Sequence, residues 1–448
     1  MPNPFARAAS LLLCDNADDI GDADARLLLE VLDYAELPAD VGKSGSQARH
    51  RARLLITASQ FARVFELASP DAPGLVCFGA EIDPVMADPL HAGSPAVSVS
   101  GVGLSPQEAF QGCIGEGIEY LSQLQIGNDV LERSPLDDPA AKLGSDVREW
   151  LTALSAHRLR PDLEFSWHRA VRLGDRREVL LPADLCLRRP ADQREIQPPF
   201  LLGTGSAAGK SWNAAALHGM LELIERDATS LWWRGGVRGR SIAPNDEAHI
   251  VGEALLARLR QNVSARRSWL LDITTDIAVP CVAAVSCMKD GFGLAFGLAA
   301  RPTLAAAARS AILEMCQIEL AHAVVEAKCN ERGEAALNER DRIHRRRATM
   351  INADQCPLLQ PVAECGEHPD FNTTDPGSVL QLTVDRLAQF GIEVFGLDLT
   401  RARFEIPVAR VIAPGLQLEP SGFITPRLAD RIARTGGGVK YTGGISLI

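Results

Sequence analysis

The sequence predicts an α+β (mixed α/β) fold, and three observations carry that expectation. Stretches with apolar residues at helical spacing lie at about 105–124, 211–232, 303–328 and 377–390. Short apolar runs, "SWLLDIT", "VPCVAAVSC", "GFGLAFGLA", "IEVFGLDLT" and "IPVARVIAP", read as strands. The two kinds alternate along the chain, which indicates helices packed on sheets. Of the 448 residues, 46% are hydrophobic and 23% charged, as in a globular chain with a substantial core.

Taken in order, residues 1–95 read as an N-terminal extension that is partly helical. Both "ADARLLLEVLDYA" and "RARLLITASQFARVFELA" place apolar residues at helical spacing, and "DAPGLVCFGAEIDP" carries a short strand into a loop. Proline and glycine around 88–103 separate this segment from a main domain over 96–448. Within that domain, 330–376 is polar and irregular and reads as a surface insertion. Its basic run "RDRIHRRRA", from Arg340 to Ala348, reads as a solvated helix or loop, or a place for an acidic peptide.

Charge and cysteine usage exclude several classes. A net charge of −11 argues against nucleic acid or an anionic membrane as partner. Ten cysteines, from Cys14 to Cys365, form no CxxC pair and several sit in apolar runs, which suits a reducing compartment and gives no structural-zinc signal. No apolar run is long enough for a membrane helix, and the N-terminus has too short an apolar stretch for a signal peptide. The expected location is cytoplasmic.

The stretch "GTGSAAGKSW", Gly203 to Trp212, imitates a phosphate-binding loop. A P-loop places its first glycine five residues before Gly-Lys-Ser, and that position is Thr204, with Gly203 and Gly205 on either side. The loop is out of register by one residue, and "IQPPFLLGT" upstream is a poor buried strand. The turn instead delivers the chain into a capped helix.

Three helices share one template: "SPQEAFQGCIGEGIEYL", "SWNAAALHGMLELIERDA" and "TLAAAARSAILEMCQIEL". Each opens with a hydroxyl, Ser105, Ser211 or Thr303, suited to accept from the free N–H groups of a first helical turn. In the first, Glu108 is placed to complete a capping box with Ser105. Four residues after each hydroxyl comes Ala109, Ala215 or Ala307; eleven after it comes Glu116, Glu222 or Glu314; three further on lies Glu119, Glu225 or Gln317. Residues three apart share a helical face, so each helix presents two oxygen-bearing side chains together.

An isolated E-x-x-E is ordinarily a solvated surface. Here the flanks are apolar: Leu217, Met220, Leu221, Leu223, Ile224 and Leu231 surround Glu222 and Glu225. Carboxylates buried in such helices need cations or donors. Oxygen ligands without thiols favour Mg2+ over zinc, and Mg2+ usually comes with phosphates.

These residues resemble the YcaO-domain family. The match lies in "SGVGLSPQEAFQGCIGEGIEYLSQL", "GTGSAAGKSWNAAALHGMLELIERDA", "ARSAILEMCQ" and "IPVARVIAPGLQ", spanning about 100 to 417 in that order. The resemblance implies an enzyme that activates peptide-backbone amides with ATP and Mg2+, forming azolines, macroamidines or thioamides. It implies that Glu116, Glu119, Glu222, Glu225 and Glu314 hold Mg2+, with Arg226 and Gln317 close by; Gly205, Ser206 and Lys210 of the glycine-rich turn are expected on the ATP side, Lys210 by reaching a phosphate directly. The chain departs from the family pattern at Gly203-Thr204-Gly205, where Thr-Asn-Gly is usual, and at Lys210 in place of asparagine. It departs again at Ala214, a glutamate elsewhere, at Val102, a basic residue elsewhere, and at Ser310, an arginine elsewhere although Arg309 adjoins it. Azoline-forming members commonly end in a proline-rich tail, whereas this chain ends "GGGVKYTGGISLI". By analogy that ending favours thioamide formation and the branch with a TfuA-type partner. A homodimer is expected on the same resemblance.

The expected chemistry follows from charge. A nucleophile adds to the amide carbon, the oxyanion takes the γ-phosphoryl group, and phosphate leaves with the former amide oxygen. No covalent enzyme nucleophile is assigned, in keeping with the lack of a Ser/His/Asp or Cys/His constellation. Two other classes stay open: a silent peptide- or partner-binding member, supported by Ala214 and Val102, and a metal-dependent hydrolase using the same carboxylates. His218, four residues before Glu222, reads as packing or capping rather than a ligand. Trp232 and Trp233 read as core or as the lining of a peptide groove, Cys113 and Cys316 as packing residues, and "WLLD" at 269–272 only imitates a Walker-B ending.

Overall fold

A computed structural model describes residues 50, 53–135, 164–198, 200–263, 265–362, 368, 371 and 373–447. The strands are β1 (Arg63–Glu66), β2 (Val76–Ile82), β3 (Val97–Gly103), β4 (Glu132–Pro135), β5 (Glu164–Arg172), β6 (Arg177–Pro182), β7 (Ser206–Ala208), β8 (Arg266–Asp272), β9 (Cys281–Met288), β10 (Ala295–Ala300), β11 (Phe395–Asp398) and β12 (Val408–Ile412). The principal helices are α1 (Pro106–Gln123), α2 (Trp212–Trp233), α3 (Glu247–Arg260), α4 (Leu304–Arg332), α5 (Glu339–Met350), α6 (Pro376–Gln389) and α7 (Pro426–Thr435). The fold is mixed, as predicted, with every strand pair in the three sheets antiparallel.

The chain divides into two compact units. The first contains Val76–Met220, Glu393–Pro414 and the segment before Leu67. One of its sheets runs β1-β2-β3, and α1 packs on β2 and β3 through Phe110, Cys113, Ile114 and Ile118. Its other sheet runs β4-β5-β11-β12-β7, with β6 beside β5. Trp167, Leu181, Phe395 and Val411 supply part of its buried apolar face. The second unit holds Leu221–Ile392 and the segment after Gly415. There α4 lies along β10 and β9 of the sheet β10-β9-β8, and α3 packs on α4. Glu319 of α4 is buried and ties this unit together, accepting from Arg260 of α3 and Ser286 of β9 and pairing with the charge of Arg266 of β8. Helix α2 is continuous across the division, with 212–220 in the first unit and 221–233 in the second.

Several elements differ from the sequence reading. The apolar spacing of "RARLLITASQFARVFELA" predicts one helix; the structure has helix over 53–58 and then β1, because Val64 and Phe65 pair with Ala80 and Gly79 of β2. Sheet pairing with a distant strand overrides a local periodicity that fits both states. Strands β3 to β7 carry too many polar residues or are too short to stand out as apolar runs. The segment "ADARLLLEVLDYA" lies outside the described residues. The run Arg340–Ala348 is helical within α5, and Arg347 alone among its arginines is buried, over the Phe296 ring.

Candidate functional site

The three template helices begin as their hydroxyls predict. Ser105, Ser211 and Thr303 each accept from the N–H three residues on, at 3.2 Å in every case. The capping box on α1 is altered: Glu108 accepts from Leu104 N rather than from Ser105 N. The strand before the first and the third of these helices is also used. Ser100 N on β3 donates to Glu116 at 2.9 Å, and Leu298 N on β10 donates to Glu314 at 2.7 Å. Each donor stands five residues before its cap and each glutamate eleven after it, so the repeat extends to the strands.

In the second unit four charged side chains come together. Arg226 reaches Glu222 and Glu225, at 3.3 Å each, from the same helix. Glu314 from α4 acts electrostatically on both glutamates and on Arg226. Glu225 is 7% exposed, while Glu222 and Glu314 are half-buried. Burial pushes the Glu225 carboxyl up, and Glu314 and Glu222 push it further, against the pull of Arg226. Burial likewise raises Glu314, opposed by Arg226 and by the Leu298 hydrogen bond. The Nε of Arg226 is shut from solvent and finds no partner among the described residues. Three carboxylates against one central guanidinium, Glu225 buried and Glu222 and Glu314 half-buried, offer oxygen donors of the kind a hard divalent cation takes. Among the described residues, as they stand, no group of three or more His, Cys, Asp or Glu is placed to hold a metal ion.

In the first unit, Glu116 is exposed, contrary to the burial its apolar flanks suggest, because it points off the edge of β3 to Ser100 N. Glu119 is half-buried and accepts from Ala208 N at 2.8 Å. That contact joins α1 to the glycine-rich stretch, which is not a P-loop: residues 206–208 form β7 against β12, and the helix starts only after Gly209. Gly205 has φ +86°, which a side chain would strain, and its carbonyl accepts from Val411 N. Ser206 is buried, and Lys210 is exposed and makes no hydrogen bond or ion pair among the described residues.

Other singled-out residues resolve by burial. Trp232 and Trp233 are core: each indole is buried and donates to a carbonyl, of Leu358 and Ile445. The thiols of Cys113 and Cys316 are buried and pushed up, that of Cys316 to about 12, which suits packing and not nucleophilic attack. His218 is exposed, and Asp272 of "WLLD" pairs with Arg240 at 2.9 Å. Gln317 is half-buried on α4.

Two residues escaped the sequence reading. Arg301 draws on both Glu225 and Glu314; its signal was being the first charge after the apolar run of β10, two residues before the Thr303 cap. Arg410 is fully buried on β12 and donates to the carbonyls of Leu185, Leu202 and Thr204 and to Ser206 Oγ, so it holds the glycine turn in shape. A lone arginine inside "IPVARVIAP" was its only mark.

With this geometry in place, the comparisons with known proteins identify the class. Residues 100–417 match the family described as YcaO cyclodehydratase, ATP- and Mg2+-binding. The chain belongs to the YcaO family. An uncharacterized protein of Methanothermobacter thermautotrophicus is 27% identical over 365 residues, 80% of this chain and 89% of its own length. A protein of Rhizobium leguminosarum bv. trifolii, described as uncharacterized and lying in the tfuA 3' region, is 28% identical over 257 residues, 52% of this chain and 56% of that protein. Among solved structures, a heterocyclase in complex with substrate and cofactor superposes with TM-score 0.67 at 21% identity, covering 88% of this chain and 55% of that one. YcaO from Methanopyrus kandleri bound with AMPPCP and Mg2+ gives TM-score 0.59 at 20% identity, covering 86% and 94%. The chain thus spans about half the length of the heterocyclase and of the Rhizobium relative. At these identities the structures establish a shared fold. Among the described residues no helix is long and apolar enough to cross a membrane.

Proposed function

We propose that this chain uses Mg-ATP to phosphorylate a backbone amide of a ribosomally made peptide, with a thioamide as the favoured product. One observation carries the reading: in a chain of an ATP- and Mg2+-binding family, buried Glu225 and half-buried Glu222 and Glu314 gather around Arg226. On the family resemblance, Glu116 and Glu119 would also be Mg2+ ligands. Bound Mg2+ would supply charge neutralisation to the phosphates. Arg226 and Gln317 would orient the phosphate chain, with Gly205, Ser206 and Lys210 of the glycine-rich turn serving the ATP side. A sulfur nucleophile adds to the amide carbon, the oxyanion takes the γ-phosphoryl group from ATP, and phosphate then departs with the former amide oxygen.

The Rhizobium relative's place in the tfuA region supports a TfuA-type partner for this chain as well. Calorimetry tests the nucleotide step: AMPPCP binding should require Mg2+ and be lost in Glu222→Ala and in Glu225→Ala. A wild-type protein that binds no nucleotide at saturating Mg2+ sinks the reading. Mass spectrometry of a co-expressed peptide tests the product. Replacement of oxygen by sulfur supports thioamidation, and loss of one water points to azoline formation instead. An unmodified peptide with nucleotide still bound points to a silent, binding member.

A further inference from the structure

Arg188 differs from Arg410, whose guanidinium is taken up by carbonyls and Ser206, and from its neighbours in the first unit that are paired with acids. Its neighbour Arg189 is paired with Asp184 and Glu195, and Arg401 with Asp129. Among the described residues Arg188 has no such acid. Its backbone is pinned to the C-terminal end of α1, the N–H donating to Gln123 O at 2.7 Å and the carbonyl accepting from Gln125 N at 3.1 Å. Its Nε donates to Gln123 Oε1 at 2.8 Å, and its guanidinium carbon lies 5.1 Å from the centre of the Tyr120 ring. Among the described residues its two terminal nitrogens donate to nothing. A Cβ on Gly203 would come within 3.3 Å of Nη2, so this end of the side chain faces the start of the glycine-rich turn.

Position on the helix matters. Glu116, Glu119, Tyr120 and Gln123 are spaced to share one face of α1. Arg188 therefore lies at the C-terminal end of the same row that carries the two glutamates, and beside the turn whose strand, β7, Glu119 holds through Ala208 N. A half-buried guanidinium whose side-chain anchors among the described residues are an amide and a ring is oriented by them without being neutralised. Its remaining fork of N–H donors matches two oxygens of a phosphate.

We propose that Arg188, oriented by Gln123 and Tyr120, is a binding residue for a phosphate oxyanion at the Gly203 turn. The source is either the phosphate chain of the nucleotide or free phosphate. The inference rests on the nucleotide reading above for its biological ligand, but its chemistry is testable separately.

The experiment is calorimetry on the full chain with three probes: AMPPCP with Mg2+, inorganic phosphate, and adenosine. The variants are Arg188→Met, which keeps the packing on Tyr120, and Arg188→Lys, which keeps the charge without the fork. Arg188→Met is expected to weaken AMPPCP binding roughly tenfold, the loss of a charge-assisted contact, and to leave adenosine affinity and melting temperature unchanged. Arg188→Lys should recover part of the loss. Weakening confined to inorganic phosphate assigns the site to free phosphate. Equal affinity of wild type and Arg188→Met for both phosphate probes overturns the proposal and leaves the nucleotide reading standing. Absence of AMPPCP binding in the wild type overturns the nucleotide reading, and the phosphate titration then still decides Arg188. Should Arg188→Met fail to fold, Arg188→Lys carries the same comparison, with a smaller loss expected.

Discussion

Substituting Gly297→Ala probes how tightly the Glu314 helix is pressed on its sheet. A Cβ at residue 297 of β10 would lie 2.0 Å from Ala311 O and 2.3 Å from Met315 N, both backbone atoms of α4. Ordinary contact begins near 3.4 Å, so strand and helix must separate by more than an ångström. Overpacking on that scale costs about 1–3 kcal/mol, at the upper end where only backbone can yield. The same separation stretches the 2.7 Å bond from Leu298 N to Glu314, and loss of a hydrogen bond to a charged group adds about 1.5–3 kcal/mol. The expected destabilisation is roughly 3–6 kcal/mol by those two contributions, read as a lowered urea midpoint at unchanged slope. Gly115→Ala is the control: nothing lies within 4 Å of a Cβ there, and replacing a mid-helix glycine should stabilise by about 0.5–1 kcal/mol. A Gly297→Ala protein that melts with the wild type would refute the close approach, and with it the account of how Glu314 is positioned.

Other predictions follow from the buried charges. Glu319→Ala leaves Arg260 and Arg266 buried without their shared acid and should cost about 3–5 kcal/mol; a loss under about 1 kcal/mol in urea melts would contradict the burial. Burial pushes His322 down to about 3, helped by Arg347, His344 and Arg266. The unfolded histidine titrates near 6.5 and so binds more protons below that pH. The His322 contribution to stability should be level above pH 6.5 and fall as the pH drops towards 4, by up to about 1.4 kcal/mol per unit. Burial, with Arg347 and Arg340, pushes the neighbouring His344 down to about 4 and adds a slope of the same sign. His322→Leu should therefore reduce the slope without abolishing it, and an unchanged slope would show that His322 is not a cause. Lys210 is exposed and makes no hydrogen bond or ion pair among the described residues, so Lys210→Ala should leave the melt within about 0.5 kcal/mol while weakening AMPPCP binding. Unchanged binding would remove Lys210 from the site.

Much of this could be read from sequence where the signal is local. The three capped helices appear within a few residues of their expected limits, since a hydroxyl cap followed by apolar spacing specifies a helix from neighbours alone. The apolar strands β8 to β12 were legible for the same reason, and the polar or short strands β3 to β7 were not. β1 was hidden because its spacing also fits a helix, and only pairing with residues 78–81 decides the matter. At the site, the register of the glutamates was legible, whereas Arg188, Arg301 and Arg410 owe their roles to partners far along the chain or on other elements.

By itself the sequence determined that three helices would present paired oxygen-bearing side chains at one spacing, and the family to which that pattern belongs. Tertiary structure decided what each side chain experiences. Glu225 is dry and held beside Arg226, Glu116 is solvated and held by Ser100 N, and Glu119 fastens the glycine-rich stretch through Ala208 N. Helical spacing depends on the nearest few residues, but burial, and the hydrogen bonds and pKa shifts that follow from it, depend on segments brought together from elsewhere in the chain.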